Sequence, residues 1–271
     1  EFCAVHAFDG QTIRSKTIDQ VLREIQSINI SHITYKKKKA ILFADDNIIA
    51  NKTHAKKLFL ALRPYNINWM CQASVNISQE TELLELMSES GCGAVFIGFE
   101  STSEENLAMM QKGINRRYDY LEAIRKIQSY GILVHSSFIV GYDFDTRATF
   151  DELIGFIRES NLLMPLINIL TPLPGTRLFK RLDAEGRILH KDWSKYDTQH
   201  VVFSPARMSA EDLLQGYRTV MRAVYSFDSI LRKLDYYWVR DFWKRSNEFD
   251  PVKLVYRVLF AARLATLLVS D

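Results

Sequence analysis

Acidic, amide and hydroxyl side chains recur along this chain in short sets, each tied to an apolar run. Asp45, Asp46 and Asn47 follow AILFA. Gln72, Ser74 and Asn76 lie within and just after the run that starts at Ile67. Glu100 and Ser101 follow GAVFIGF. Ser136, Ser137 and Asp143 lie in and after ILVHSSFIV, and Asn168 and Thr171 in and after LINIL. Such groups at the carboxyl ends of parallel strands make the hydrogen-bonding wall of a ligand pocket. The two-residue period of a strand puts Gln72 and Ser74 on one face. A cavity with donors and acceptors explains polar residues inside strands better than a dry core does. For any one of these residues, a turn or capping role carries equal weight. Together they specify a pocket and not a reaction.

Other chemistry is sparse. The three cysteines, Cys3, Cys71 and Cys92, are odd in number and none is spaced from another as metal ligands are. This argues against a disulfide framework and fits a reducing cytosol. Cys71 and Cys92 read as small core residues. His135 is the one histidine near the proposed pocket, and its default is a satisfied interior side chain. There is no phosphate-binding glycine loop of either common kind.

The elements that must position these residues alternate. Thr17 opens a capping box for a helix whose face is Val21, Leu22, Ile25 and Ile28. Strands are expected at 40–44, 67–74, 93–99, 132–140 and 166–170. Helices lie between them, with starts at Asn51, Glu80, Ser103 and Arg116, and a further helix carries Phe150, Leu153, Ile154 and Ile157. Apolar strands with helical crossovers imply a parallel sheet, either a barrel or an open doubly wound sheet. After residue 195 the chain reads as a mostly helical appendage, with helices at Ser209, at 228–243 and from Asp250. Trp193, Tyr196, Tyr217, Tyr225 and Trp238 are candidates to line a substrate site, though helical spacing favours core packing for most of them.

The 271 residues, 47% of them hydrophobic, suffice for one large domain with an appendage. A formal charge of +3 argues neither for nor against nucleic acid, and with no long basic tract no nucleic-acid partner is expected. The four lysines at 36–39 read as a solvated loop. The opening EFCAVHAFDG is no signal peptide, and without an initiating Met it reads as the start of a piece cut from a longer chain.

Phe2-Cys3 followed by AVHAFDG resembles the end of the radical S-adenosylmethionine (SAM) motif CxxxCxxC, and ILFADDN, WMCQASVNI, CGAVFIGFES, HSSFIVGYD and ILTPLPGT follow in the order of that family. They are similar to the class whose full chains carry an upstream cobalamin-binding domain. GRILHKDWSKYDTQHVVFSPARMSAEDLLQGY resembles the C-terminal extension of one largely uncharacterised subgroup. The resemblance implies a partial (β/α)6 TIM-like barrel over residues 1–195, its first strand missing, and a helical extension over 196–271. It implies Cys3 as a ligand of a [4Fe-4S] cluster, with one further Cys directly before Glu1 and another four residues earlier. Phe2 would pack near the SAM adenine. Asp45 and Asp46 stand where many relatives carry Gly-Gly-Glu. Glu100 and Ser101 match the strand end that reaches the ribose or methionine. Residues 137–141 resemble GxIxG with Ser137 for the first Gly and Gly141 for the last; the acid that usually follows is out of register, flanked by Asp143 and Asp145. Thr171 and Pro172 would meet adenine through backbone atoms, and Gln72 and Ser74 complete the SAM set.

The implied chemistry is reductive cleavage of SAM to a 5′-deoxyadenosyl radical that abstracts hydrogen, with cobalamin often supplying a methyl group. The implied partners are an electron donor such as flavodoxin or ferredoxin, the upstream cobalamin domain, and a small-molecule or lipid substrate. The expected location is cytoplasmic, with membrane association through the apolar stretch at 252–269 as a secondary reading. Alternatives are a metal-dependent lyase using Asp45 and Glu100, and a non-catalytic binding domain. With one cluster cysteine, the chain alone is expected to be inactive.

Overall fold

The computed structural model describes residues 13–28, 34–35, 38–110, 115 and 118–239. Helix α1 (Ile18–Ser27) starts at the Thr17 capping box, where Thr17 and Gln20 satisfy each other's backbone N–H groups. Strand β1 (Thr34–Tyr35) pairs antiparallel with β2 (Lys38–Leu42). One expectation changes here. Lys38 and Lys39 belong to a strand, not to a solvated loop, and β1 pairs with the start of β2.

Five parallel strands then follow in chain order: β2, β3 (Asn68–Gln72), β4 (Cys92–Glu100), β5 (Leu133–Val140) and β6 (Leu166–Ile169). The order never reverses. A doubly wound sheet needs a reversal; sequential order with right-handed crossovers keeps every helix on one side and curls the sheet toward a barrel. The crossovers carry α2 (Lys52–Leu62), α3 (Thr81–Glu89), α4 (Glu104–Met109), α5 (Tyr120–Ser129) and α6 (Ala148–Ser160). Asn51 and Ser103 cap α2 and α4 as expected. The α5 helix starts at Tyr120 with Asp119 as its cap, four residues later than expected from Arg116. Thr176 caps α7 (Arg177–Ala184), a short helix that the sequence reading did not anticipate.

Trp69, Cys71, Val95, Ile97, Phe99, Val134, Phe138, Ile167 and Ile169 pack against the helices. The alternate positions face the concave side. There Met70, Ala94 and Leu133, near the strand starts, pack with Leu163, Ile230 and Tyr237. The last two belong to α9 (Phe227–Val239), which follows α8 (Ala210–Val224). Ser209 caps α8 through a second capping box with Asp212. Thus α9 forms a floor beneath the curled sheet. Gln128 donates to the Tyr237 hydroxyl at 2.9 Å, and that hydroxyl donates to the Asn161 carbonyl at 3.0 Å. Among the described residues no helix is long and apolar enough to cross a membrane. The expected helix from Asp250 and the apolar stretch at 252–269 lie outside them.

Candidate functional site

The polar set gathers where the strands end. Gln72, Phe96, Gly98, His135, Ser137 and Asn168 alternate with helix-facing residues, so they line the concave face. Gly98 lies beside Ser137 across the β4–β5 pair. Asn168 donates to the Ser137 hydroxyl at 3.3 Å and accepts from Thr198 at 3.1 Å. Thr198 comes from the segment after α7, and its carbonyl accepts the Ile169 N–H at 2.7 Å. The C-terminal region therefore lies along the β6 edge and reaches the concave face. Thr198 holds φ 68, a left-handed backbone that a β-branched residue rarely adopts.

Ser74 lies just beyond β3 and exchanges bonds with Asn47. Asn47 donates to the Ser74 hydroxyl at 3.1 Å and accepts the Ser74 N–H at 3.3 Å. This joins two of the expected strand ends. Asp45 and Asp46 are exposed. Asp45 lines a cavity of about 440 Å³ on the β2 flank, with Arg14, Lys16, Glu24, Asn47 and His54 among its other walls. None of the other SAM candidates among the described residues lines that cavity. Phe2 and Cys3 lie outside the described residues.

The end of β4 is distorted. Its register with β5 shifts between Gly98 and Glu100, and Glu100 holds φ 69 while almost fully buried. The carbonyls freed by the shift are satisfied from one side: Asn115 donates to Gly98 and Phe99 at 3.0 Å each, and the Tyr120 hydroxyl donates to Phe99 at 3.1 Å. Burial, with Glu100 nearby, raises the Tyr142 hydroxyl well above its ordinary range.

The two acids flanking the expected register have separate structural work. Asp145 is buried and accepts the Gly141 and Tyr142 N–H groups at 2.7 and 2.9 Å and the Asn106 amide at 2.7 Å. Burial pushes its carboxyl up to about 6, against the pull of those donors. Asn106 in turn accepts the Phe144 N–H at 3.2 Å. Asp143 pairs with Arg181 and Arg187, each at 2.7 Å. Burial alone would raise Asp143, but the Arg187 hydrogen bond and the two positive charges outweigh it and hold the carboxyl below its usual value. Asn106 and Asn115 were missed from sequence. Their partners are remote backbone groups, which no local spacing announces.

Gly141 follows β5 at φ 104, and a Cβ there would lie 2.9 Å from Leu213 of α8 and 3.3 Å from Phe203. Thr171 is buried and donates to the Ile169 carbonyl at 3.0 Å. His135 faces the concave side, and burial lowers its pKa. Cys71 and Cys92 are buried free cysteines; burial raises the Cys92 thiol, with Cys71 beside it. Among the described residues no three His, Cys, Asp or Glu side chains converge to hold a metal ion. Trp193 departs from expectation. It is 52% exposed and is not a core residue.

A curled sheet of sequential parallel strands, polar at its carboxyl ends and floored at the other, defines a partial TIM-like barrel built to hold a ligand at its rim. The chain belongs to the Radical SAM superfamily, which matches residues 1–157, while residues 176–260 match a domain of unknown function, DUF4070. Membership carries the family's cofactors, a [4Fe-4S] cluster and SAM. The chain is 32% identical over 233 residues to bacteriochlorophyllide d C-12(1)-methyltransferase of Chlorobaculum tepidum, covering 86% of this chain and 50% of that protein. It is 31% identical over 261 residues to hopanoid C-2 methylase of Rhodopseudomonas palustris, covering 93% of this chain and 47% of that one. It thus spans about half the length of the curated relatives it matches. The structure of TsrM from Kitasatospora setae, a radical SAM methyltransferase with cobalamin and a [4Fe-4S] cluster bound, shares the fold. Its TM-score is 0.54 at 18% identity, over 65% of this chain and 32% of that one.

Proposed function

We propose that the protein containing this chain is a cobalamin-dependent radical SAM methyltransferase acting on an apolar small molecule or lipid. The observation that carries this reading is the sequence similarity to two enzymes named for carbon methylation, each extending past the barrel into the helical region. The bound cofactors supply the hydrogen-abstracting radical and the methyl group. This chain's residues bind, orient and exclude water.

Cys3, with two cysteines upstream, is the proposed cluster ligand, and Phe2 the neighbour of adenine. Gln72, Ser74 and Ser137 give the concave face the donors and acceptors that SAM's amino, carboxylate and ribose groups require. Asp45 and Asp46 face solvent at the β2 end, where an ammonium group would be held. Glu100 and Ser101 close the β4 end, and the strained backbone at Glu100 fixes the direction of both. Gly141 lets the backbone turn tightly against Leu213 and Phe203 at the β5 end, and Thr171 sets the backbone after β6. The electron donor is a flavodoxin or ferredoxin, the cobalamin domain lies upstream, the domain boundary falls near residue 195, and the location is cytoplasmic.

Anaerobic reconstitution of the longer protein with iron and sulfide tests this. The expected result is a brown protein that converts SAM to 5′-deoxyadenosine, with both properties lost in Cys3→Ala. A colourless protein that leaves SAM intact overturns the reading.

A further inference from the structure

One aromatic group on the surface is not used by the site described above. The Trp193 ring lies 4.9 Å from Tyr196 at 56° and 6.1 Å from Phe179 at 47°. Trp193 is 52% exposed, and Leu189, four residues earlier in the chain, is 53% exposed. Burying such surface is worth roughly 25 cal/mol per Å², so leaving an indole and a leucine in water is costly unless something covers them. The group is also rigid. Asp192 caps the short helical turn Trp193–Lys195 through the Ser194 N–H at 3.2 Å, and the Tyr196 hydroxyl donates to the His190 carbonyl at 2.7 Å. Lys191 sits over the Phe179 ring at 5.7 Å and is paired with Asp183. Ordered aromatic rings held in place before binding lose little entropy when a ligand arrives.

The group is continuous with the site. Tyr196 is two residues from Thr198, at most about 7 Å along the backbone. Thr198 bonds to Asn168, and Asn168 to Ser137 on the concave face. We infer that Trp193, Tyr196 and Phe179 form the ledge that receives the substrate, and that the substrate is a rigid, flat, polycyclic molecule with an apolar face. The tilted rings favour this shape: a flat ring system stacks on the indole while the two flanking rings grip its edge. A flexible chain would gain less from such a corner. This inference rests on the methyltransferase reading.

Two probes share that chemistry and separate its sources: protoporphyrin IX, an aromatic macrocycle, and a pentacyclic triterpene, a saturated ring system. Equilibrium dialysis against the reconstituted full-length protein is expected to show binding of one of them. Trp193→Ala should weaken that binding about tenfold, Phe179→Ala should weaken it as well, and Trp193→Phe should stay within about threefold of wild type. Leu231→Ala, exposed on α9, should bind as wild type does. The ledge is overturned if neither probe binds wild type, or if Trp193→Ala binds as tightly as wild type in a protein that cleaves SAM. Failure of wild type to cleave SAM removes the functional reading itself, a separate outcome.

Discussion

The Asp145 carboxylate accepts the Asn106 amide at 2.7 Å and thereby ties the helix after β4 to the loop after β5. Its other oxygen holds the Gly141 and Tyr142 N–H groups. One buried acid thus fixes the turn that leaves β5 at the pocket rim.

Asp145 should make stability pH-dependent. Its folded pKa lies near 6, above the ordinary 3.8, so the folded state binds more protons between those values. Stability from this group is present at low pH and is lost as pH rises through about 6, by about 3 kcal/mol in all. Thermal melts of wild type and Asp145→Asn from pH 4 to 7 should show the wild-type advantage shrinking over that window. At pH 7 the variant should still be weaker by about 1–3 kcal/mol, because an amide offers donors to donors. A constant difference across the range would refute the assignment.

Lys233 should act in the opposite range. Its ammonium is buried, donating to the Val224 carbonyl at 3.1 Å, and burial lowers its pKa from 10.5 to about 8. The unfolded chain then binds more protons between those values. Wild type should gain about 3 kcal/mol relative to Lys233→Met as pH rises from 8 toward 10.5. Parallel melting curves would show that the lysine is not buried in solution.

Gly141→Ala should cost about 2 kcal/mol or more, since the new methyl meets Leu213 and the positive φ disfavours any side chain. SAM affinity of the reconstituted protein should fall too, because this turn borders the proposed adenine site. Isothermal titration would measure it. Unchanged affinity in a folded variant would detach Gly141 from the site.

Thr198→Ala and Thr198→Gly should separate strain from bonding. Both lose the hydroxyl that binds Asn168. Glycine alone relieves the left-handed backbone, so Thr198→Gly should be the more stable of the two by about 1 kcal/mol. Urea denaturation would decide, and the reverse order would show that the backbone there is relaxed.

The legible part of this molecule was local. Thr17, Asn51, Ser103 and Ser209 announce their helices because capping depends on neighbours three residues away. The strand sequence followed from apolar runs, though barrel and open sheet remained equal until strand order distinguished them. The α7 helix, 8 residues long, signals its buried face only through Leu178 and Leu182 and was overlooked. Asp145 and Asn106 are 39 residues apart, and Asn115 serves carbonyls freed by a register shift. Such bonds exist only once the strands are aligned. Trp193 lies in one tight turn and not on a helix face, which leaves its ring half exposed. Of the candidate site, strand-end positions were legible; which acid points inward and which anchors a loop was not.

The α9 floor makes the curled sheet a blind vessel. Among the described residues, Ile230 and Tyr237 close the strand-start end behind Gln72, Ser74 and Ser137, so a small molecule lodged there would leave by the rim. Anything bulky settling on the rim stands in its way. Traffic becomes a queue: the deep occupant goes in first and comes out last. Turnover would then be paced by how quickly the rim clears, whatever the speed of the chemistry beneath it.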